Sequence, residues 1–168
     1  MTARVSTGNC YHHFPDKETI FRALLDRYFE LMSQPEFPFN RALASGTFPE
    51  NLENIGQAVR EVVRDYREYA LLIYVDVVEF DGTHIRKFYE NMAERFASFI
   101  KAAGMENELQ AKLASGLSPV SAVMLATRIF YNYFSVEILF GVKDHFGKET
   151  NAAVREISRI LRHGMLRM

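Results

Sequence analysis

Side chains that perform catalysis or bind metals are sparse in this sequence. No two histidines stand four positions apart, the spacing that would place both imidazoles on one helix face for a metal; the five are His12, His13, His84, His145 and His163. No nucleophile elbow, phosphate-binding glycine loop or dinucleotide fingerprint occurs. The lone cysteine, Cys10, excludes an internal disulfide and a zinc site built on paired cysteines. We therefore expect a protein that is not an enzyme and that uses no metal or cofactor.

Two carboxylates, Asp76 and Glu79, lie three positions apart in a stretch that is otherwise apolar. One helical turn separates them, so they could work together as a general acid and base or could anchor a ligand inside a cavity. Carboxylates in such places are more often capped or solvated structural groups. The sequence leaves these alternatives open.

Residues 5–18, V-S-T-G-N-C-Y-H-H-F-P-D-K-E, carry the pattern of a short helix that stops and is followed by a second helix. Ser6 is a good N-cap, and Pro15 ends the first helix at Phe14. Cys10 and Phe14 share the inward face. The opposite face is small and polar, with Gly8, Asn9, Tyr11 and His12. Such a face fits a DNA major groove, where hydroxyl, amide and imidazole groups meet base edges and phosphates.

The segment V-S-T-G-N-x-Y-H-H-F-x-x-K-E resembles the helix-turn-helix signature of the TetR family of bacterial transcriptional regulators, G-V-S-x-G-x-x-Y-x-[HY]-F-x-x-K. The resemblance implies a recognition helix capped by Ser6. It implies phosphate contacts from Tyr11, His13 and Lys17. Positions that face the bases or the adjacent backbone fall on Thr7, Gly8, Asn9 and His12. Arg4 replaces the usual turn glycine, and Cys10 replaces the usual leucine.

A helix-turn-helix needs a helix before the turn, and the family adds another ahead of that. Only Met1 to Arg4 precede the motif, whereas two short helices take roughly 30 to 40 residues. We therefore expect the chain to begin inside its DNA-binding domain, through a start codon assigned too late, an omitted front or a true variant. Alone, it should bind DNA weakly and without sequence preference; with the upstream helices it should bind a palindromic operator.

Length and composition are typical of a soluble globular protein: 168 residues, 48% hydrophobic and 24% charged. The net charge of -1 gives no overall basic footprint for nucleic acid, although a local patch would suffice. Neither a signal peptide nor a run of eighteen apolar residues is visible. We therefore expect a cytoplasmic protein without membrane contact.

Every long segment has helical periodicity, which predicts an all-α fold. Asp16 is the expected N-cap of a helix over residues 17–33, and the proline-rich residues 35–50 are expected to form a loop. Residues 70–80 are rich in β-branched side chains but have no partner strand, so we predict a buried helix that stops near Gly82. Further helices are predicted over residues 52–66, 83–103 (closed by Gly104), 118–141 (capped by Ser118) and 149–166.

Residues 118–141 are apolar on every side, and a helix of this kind must be buried on every side. We expect it to pair with residues 149–166 and with the same two helices of a second subunit, an arrangement similar to the four-helix dimer interface of the TetR family. The interface residues expected are Val123, Arg128, Tyr131, Phe134, Ile138, Ile157, Ile160 and Leu161.

Aromatic residues make up 13% of the chain and concentrate on helices that converge in this family. We expect most of them to be core and the rest to line an effector cavity, which would be chiefly apolar with a few polar groups. The cavity residues expected are Val63, Tyr66, Ile73, Asp76, Phe88, Met92, Phe130, Asn132 and Tyr133.

The resemblance therefore implies a helical bundle with two parts. Residues 1–33 would be the remnant of a helix-turn-helix with its connecting helix, and residues 34–168 would bind the effector and dimerise. The function implied is that of a homodimeric, ligand-responsive DNA-binding repressor whose effector is a small apolar or aromatic molecule. The alternative is a dimeric effector-binding or protein-interaction module without DNA-binding activity.

Overall fold

The computed structural model describes residues 13–166, and the regular elements of that range are helical, so the all-α prediction is confirmed. An isolated bridge joins Leu113 and Leu166. The helices are α1 (Lys17–Ser33), α2 (Pro38–Ala44), α3 (Leu52–Asp65), α4 (Arg67–Phe80), α5 (Thr83–Ala102), α6 (Glu106–Lys112), α7 (Pro119–Phe134), which continues as a π-helical turn (Ser135–Leu139), and α8 (Thr150–Met165).

The core forms around α7, which packs against α3, α5 and α8. Phe130 and Phe134 of α7 are fully buried, together with Ile55 of α3 and Val154 of α8. Because these elements cover three sides of α7, the chain has a continuous apolar core of its own.

Three helices begin or end at the residues that were predicted to cap them. The Asp16 carboxylate accepts a hydrogen bond of 2.7 Å from the backbone N–H of Thr19. The Ser118 hydroxyl accepts one of 3.1 Å from that of Ser121. Gly104 follows α5 with a φ of 66°, the left-handed conformation that favours glycine at a helix end. The three predicted helix ends are therefore confirmed.

Helix α2 lies inside the segment that was predicted to be a loop, and that prediction was wrong. Pro38 occupies the first turn of the helix, where proline needs no N–H partner and its fixed φ suits the backbone. Phe39, Ala42 and Leu43 then recur on one face and are buried. Prolines on either side obscured a short amphipathic helix.

Helix α4 was predicted to be buried, and this was also wrong. Only Ala70 and Asp76 are buried among its residues, while Val77 and Val78 are 57% and 79% exposed. Neighbours cover one side of the helix, where it contacts α1, α3 and α5. High mean hydropathy alone therefore did not reveal its environment.

Several residues expected at a dimer interface lie instead in the core of the single chain: Val123, Phe134, Ile157 and Leu161. The reason is that α3, α5 and α8 cover the apolar sides of α7 within one protomer. Tyr131 and Ile138 are half-buried, whereas Arg128 and Ile160 are exposed. Of the expected interface residues, the last two are the ones with most surface left for a partner.

Gly56 marks the closest approach of α3 to the core. A Cβ there would lie 2.9 Å from Cε1 of Phe130 and 3.0 Å from Cγ1 of Val154. We expect Gly56→Ala to lower the free energy of unfolding by about 1 kcal/mol or more, because overpacking outweighs the gain in helix propensity. Gly164→Ala, in open space on α8, is the matched control and should stabilise by up to about 1 kcal/mol. Urea denaturation of both variants tests this, and equal effects would contradict it.

Candidate ligand-binding cavity

A cavity of about 840 Å³ lies among α1, α2, α3, α4, α5 and α7. Its volume falls within the range of about 300–1,000 Å³ that is usual for small-molecule sites. Helix α1 contributes the inner face that carries Leu25, Tyr28, Phe29 and Met32. Helices α5 and α7 contribute further lining residues, among them Met92 and Tyr131.

Eleven aromatic residues line the wall, and several of their rings pack in pairs. Tyr28 of α1 stacks on Tyr69 of α4, with ring centroids 5.0 Å apart. Phe29 of α1 stacks on Phe88 of α5 at 5.4 Å. Paired rings of this kind are favourable beyond their buried area, so α1 is tied to both α4 and α5 along the cavity.

Tyrosines from four helices, α1, α4, α5 and α7, line the cavity. Burial raises the pKa of Tyr28, and the neighbouring Tyr66 and Tyr89 raise it further. Burial likewise raises the pKa of Tyr131 and of Tyr89, although Arg128 opposes the increase at Tyr89. These hydroxyls therefore stay neutral and can donate hydrogen bonds at neutral pH.

Two arginines share this wall. The guanidinium carbon of Arg95 lies 5.6 Å from the centroid of the Phe29 ring, and that of Arg128 lies 5.4 Å from the Tyr89 ring. Both arrangements are cation–π contacts. Arg95 also donates a hydrogen bond of 3.1 Å to the Ser33 hydroxyl.

The end of α7 departs from α-helical geometry where it reaches the cavity. The N–H of Phe140 bonds to the carbonyl of Ser135 at 3.2 Å, five residues back, in the π-helical turn. Ser135 is buried and lines the cavity with Tyr131. Such turns are frequent at functional sites, and this one sets the direction of the chain beyond α7.

Of the residues predicted for the cavity, the structure brings four together on its wall: Ile73, Phe88, Met92 and Asn132. Val63 and Phe130 instead lie in the central core, which was wrongly expected to be open there. Tyr66 packs on the rings of Phe37 and Tyr28. Tyr133 lines a separate smaller cavity with Asn132 and Phe146.

Sequence reasoning missed the contribution of α1 and α2 to the wall. Tyr28, Phe29 and Met32 were read as part of a helix that only connects two regions, and Phe39 fell in the supposed loop. Phe21 and Leu25 of α1 are buried, whereas Leu24 is 43% exposed. The sequence feature that could have indicated this wall is the aromatic pair Tyr28 and Phe29 followed by Met32.

Asp76 does not face the cavity, so its predicted role as a ligand anchor was wrong. The carboxylate is fully buried at the start of α5 and accepts hydrogen bonds from the backbone N–H groups of His84 at 3.1 Å and Ile85 at 2.8 Å. Nδ1 of His84 donates a third at 2.7 Å. Asp76 therefore caps α5 from the neighbouring helix α4.

Glu79 lies apart from Asp76 and is exposed. Its carboxylate pairs with the ammonium group of Lys17 at 2.5 Å. On the other side of the same junction, Nε2 of His84 lies 3.2 Å from the Glu18 carboxylate. These contacts fix the first turn of α1 to α4 and α5, and the two carboxylates do not form an acid–base pair.

Two of the predicted DNA-contacting residues, His13 and Lys17, lie in the described range and both are exposed. The others lie outside the described residues: Ser6, Thr7, Gly8, Asn9, Tyr11 and His12. Lys17 immediately begins α1, whose later turns line the cavity.

The sequence and the structure match no protein-family model, no curated protein and no solved structure. Across residues 13–166, no helix is both long and apolar enough to cross a membrane. Over the same range, no three His, Cys, Asp or Glu side chains are grouped so that they could hold a metal ion.

The buried phenols predict a loss of stability in alkaline solution. The pKa of Tyr28 in the folded protein lies above its usual value of 10.0, so its contribution is complete below that pH and is lost as pH rises through the folded value. We expect the free energy of unfolding to fall as the pH rises above about 10, and to fall less in Tyr28→Phe. Urea denaturation at each pH measures this; an equal fall in both proteins would contradict it.

Proposed function

We propose that this protein is a ligand-responsive DNA-binding transcriptional regulator of the TetR type, with its effector bound in the cavity among α1, α2, α3, α4, α5 and α7. The observation that carries the proposal is that α1 both follows the candidate recognition segment directly and supplies one wall of the cavity. One helix thus joins the two functions.

The contacts of α1 suggest how a ligand would act. Tyr28 and Phe29 face the cavity and stack on rings of α4 and α5. Near the other end of α1, Lys17 and Glu18 contact Glu79 and His84. A ligand wedged against the first pair would change the position of α1 relative to α4 and α5, and the first turn would carry that change to the recognition segment.

The effect on DNA depends on the ligand's preference between two arrangements of the protein. A ligand shifts an equilibrium only by its difference in affinity for the two states. In a dimer, a change in the separation of two recognition helices would remove the fit to half-sites one helical turn apart. We propose homodimerisation through the exposed side of α7 and α8, where Leu125 and Ile160 remain open.

A ligand of the cavity should raise the melting temperature of the protein by mass action. At a hundredfold excess of ligand over its Kd, the stabilisation is about 2.7 kcal/mol. Phe88→Ala enlarges the cavity beside Phe29 and should change which compounds stabilise the protein. Phe146→Ala, on the smaller cavity, should not change them. Thermal denaturation with a panel of aromatic and lipid-like compounds measures this.

The absence of any thermal shift across that panel would contradict the effector site. Stabilisation by a ligand combined with no DNA binding would instead support the alternative, an effector-binding or protein-interaction module. The exposed Val77 and Val78 of α4 offer that module an apolar surface.

A further inference from the structure

The charges of the cavity wall are unbalanced. Arg95 and Arg128 both line it, and within residues 13–166 neither forms an ion pair with a carboxylate. Glu94 also lies on the wall, but it is exposed and pairs with neither arginine. The wall therefore carries more positive than negative charge.

The uncharged polar groups add donors to the same space. The hydroxyls of Tyr28 and Tyr89 form no hydrogen bond with another group of the described chain, so both are free to donate to a ligand. Their raised pKa values keep them protonated, so they add no negative charge that would repel an anion. The remaining surface is mainly aromatic and aliphatic.

A ligand that matches this wall has an apolar body and a group rich in acceptor oxygens. Guanidinium groups bind carboxylates through paired, charge-assisted hydrogen bonds. The cation–π contacts on Phe29 and Tyr89 hold both arginines against the wall while leaving N–H donors available. A volume of about 840 Å³ accommodates an alkyl chain or a fused aromatic body.

We propose that the ligand is an apolar carboxylic acid, aliphatic or aromatic, whose carboxylate is bound by a guanidinium group of the wall, that of Arg95 or that of Arg128. This inference rests on the proposed effector role of the cavity and defines the chemical class of the effector. A neutral molecule of the same shape would leave both guanidinium groups without a carboxylate partner.

The test compares acids with alcohols of matched shape by isothermal titration at neutral pH. The aliphatic pair is decanoic acid and decanol, and the aromatic pair is naphthylacetic acid and naphthylethanol. Charge-assisted hydrogen bonds are worth about 1.5–3 kcal/mol, so in at least one pair the acid should bind about tenfold more tightly or better. The tighter acid shows whether the apolar body is aliphatic or aromatic.

The double variant Arg95→Met/Arg128→Met should still bind the alcohols but lose the preference for the acid. Arg86→Met/Lys87→Met removes the same charge from exposed positions of α5 outside the cavity wall and should keep the preference. Equal binding of acid and alcohol, or a preference that survives in the double variant, overturns the assignment of an acid while leaving the cavity a ligand site. Binding of none of the four compounds would overturn the acid and count against the effector site itself.

Discussion

Replacing Asp76 by alanine should lower the free energy of unfolding by about 3 kcal/mol or more. The buried carboxylate accepts three hydrogen bonds, from the N–H groups of His84 and Ile85 and from the His84 ring. Bonds to a charged group contribute about 1.5–3 kcal/mol each, and removing the acceptor leaves buried donors unsatisfied. Urea denaturation followed by circular dichroism measures the loss.

Asp26 on α1 provides the matched control, since its carboxylate is exposed. Asp26→Ala should change stability by no more than about 0.5 kcal/mol. Asp76→Asn keeps one acceptor oxygen and should fall between the two. If Asp76→Ala proved as stable as Asp26→Ala, the capping contacts at the start of α5 would not be what holds α4 and α5 together.

Replacing Phe134 by aspartate should unfold the protein, whereas replacing Ile160 by aspartate should only separate the subunits. Phe134 is fully buried within one chain, and Ile160 is 63% exposed on α8. An unpaired charge in an apolar core costs several kcal/mol, a large part of the stability of a small domain. At the exposed position 160, the same charge should weaken only the contact with a second subunit.

Light scattering and circular dichroism distinguish the two outcomes. The unmodified protein should have about twice the chain mass of 19.4 kDa, and Ile160→Asp should give the monomer mass with unchanged helix content. A folded, monomeric Phe134→Asp variant would return Phe134 to the interface. If Ile160→Asp remained dimeric, position 160 of α8 would not be part of the dimer interface.

The sequence predicted helix ends well because a cap depends on one side chain and the few residues beside it. Asp16 and Ser118 each bond to a backbone N–H three positions on, and Gly104 adopts the backbone conformation that favours glycine. Nothing distant in the chain influences these choices. For the same reason, the periodicity of the long segments sufficed to predict helices.

Burial was harder to predict because it depends on which helices meet. Helix α7 is apolar on every side and must therefore be buried. The sequence does not show whether helices of the same chain or of a second subunit bury it. Residues such as Phe134 were therefore placed at an interface. Asp76 is a similar case, since its partners His84 and Ile85 belong to the next helix and become neighbours only after the chain turns at Gly82.

The sequence predicted an apolar cavity but only some of the residues that line it. Phe88 and Met92 lie on its wall as expected, since the aromatic stripe of α5 faces α1. The contribution of α1 to the cavity wall was not predicted, because the packing of α1 on α4 and α5 determines which face of α1 is turned inward. Only the folded structure therefore shows that α1 lines the cavity.

DNA affinity measured with and without a cavity ligand tests the proposed regulation most directly. Sites are first selected from a random DNA library, using both the 168-residue chain and a form extended by any in-frame upstream codons. We expect a palindromic site with two half-sites, bound about 5- to 150-fold more weakly once the ligand is saturating. An unchanged affinity at saturating ligand, or no selected site for either form, would contradict the proposal that the cavity controls DNA binding.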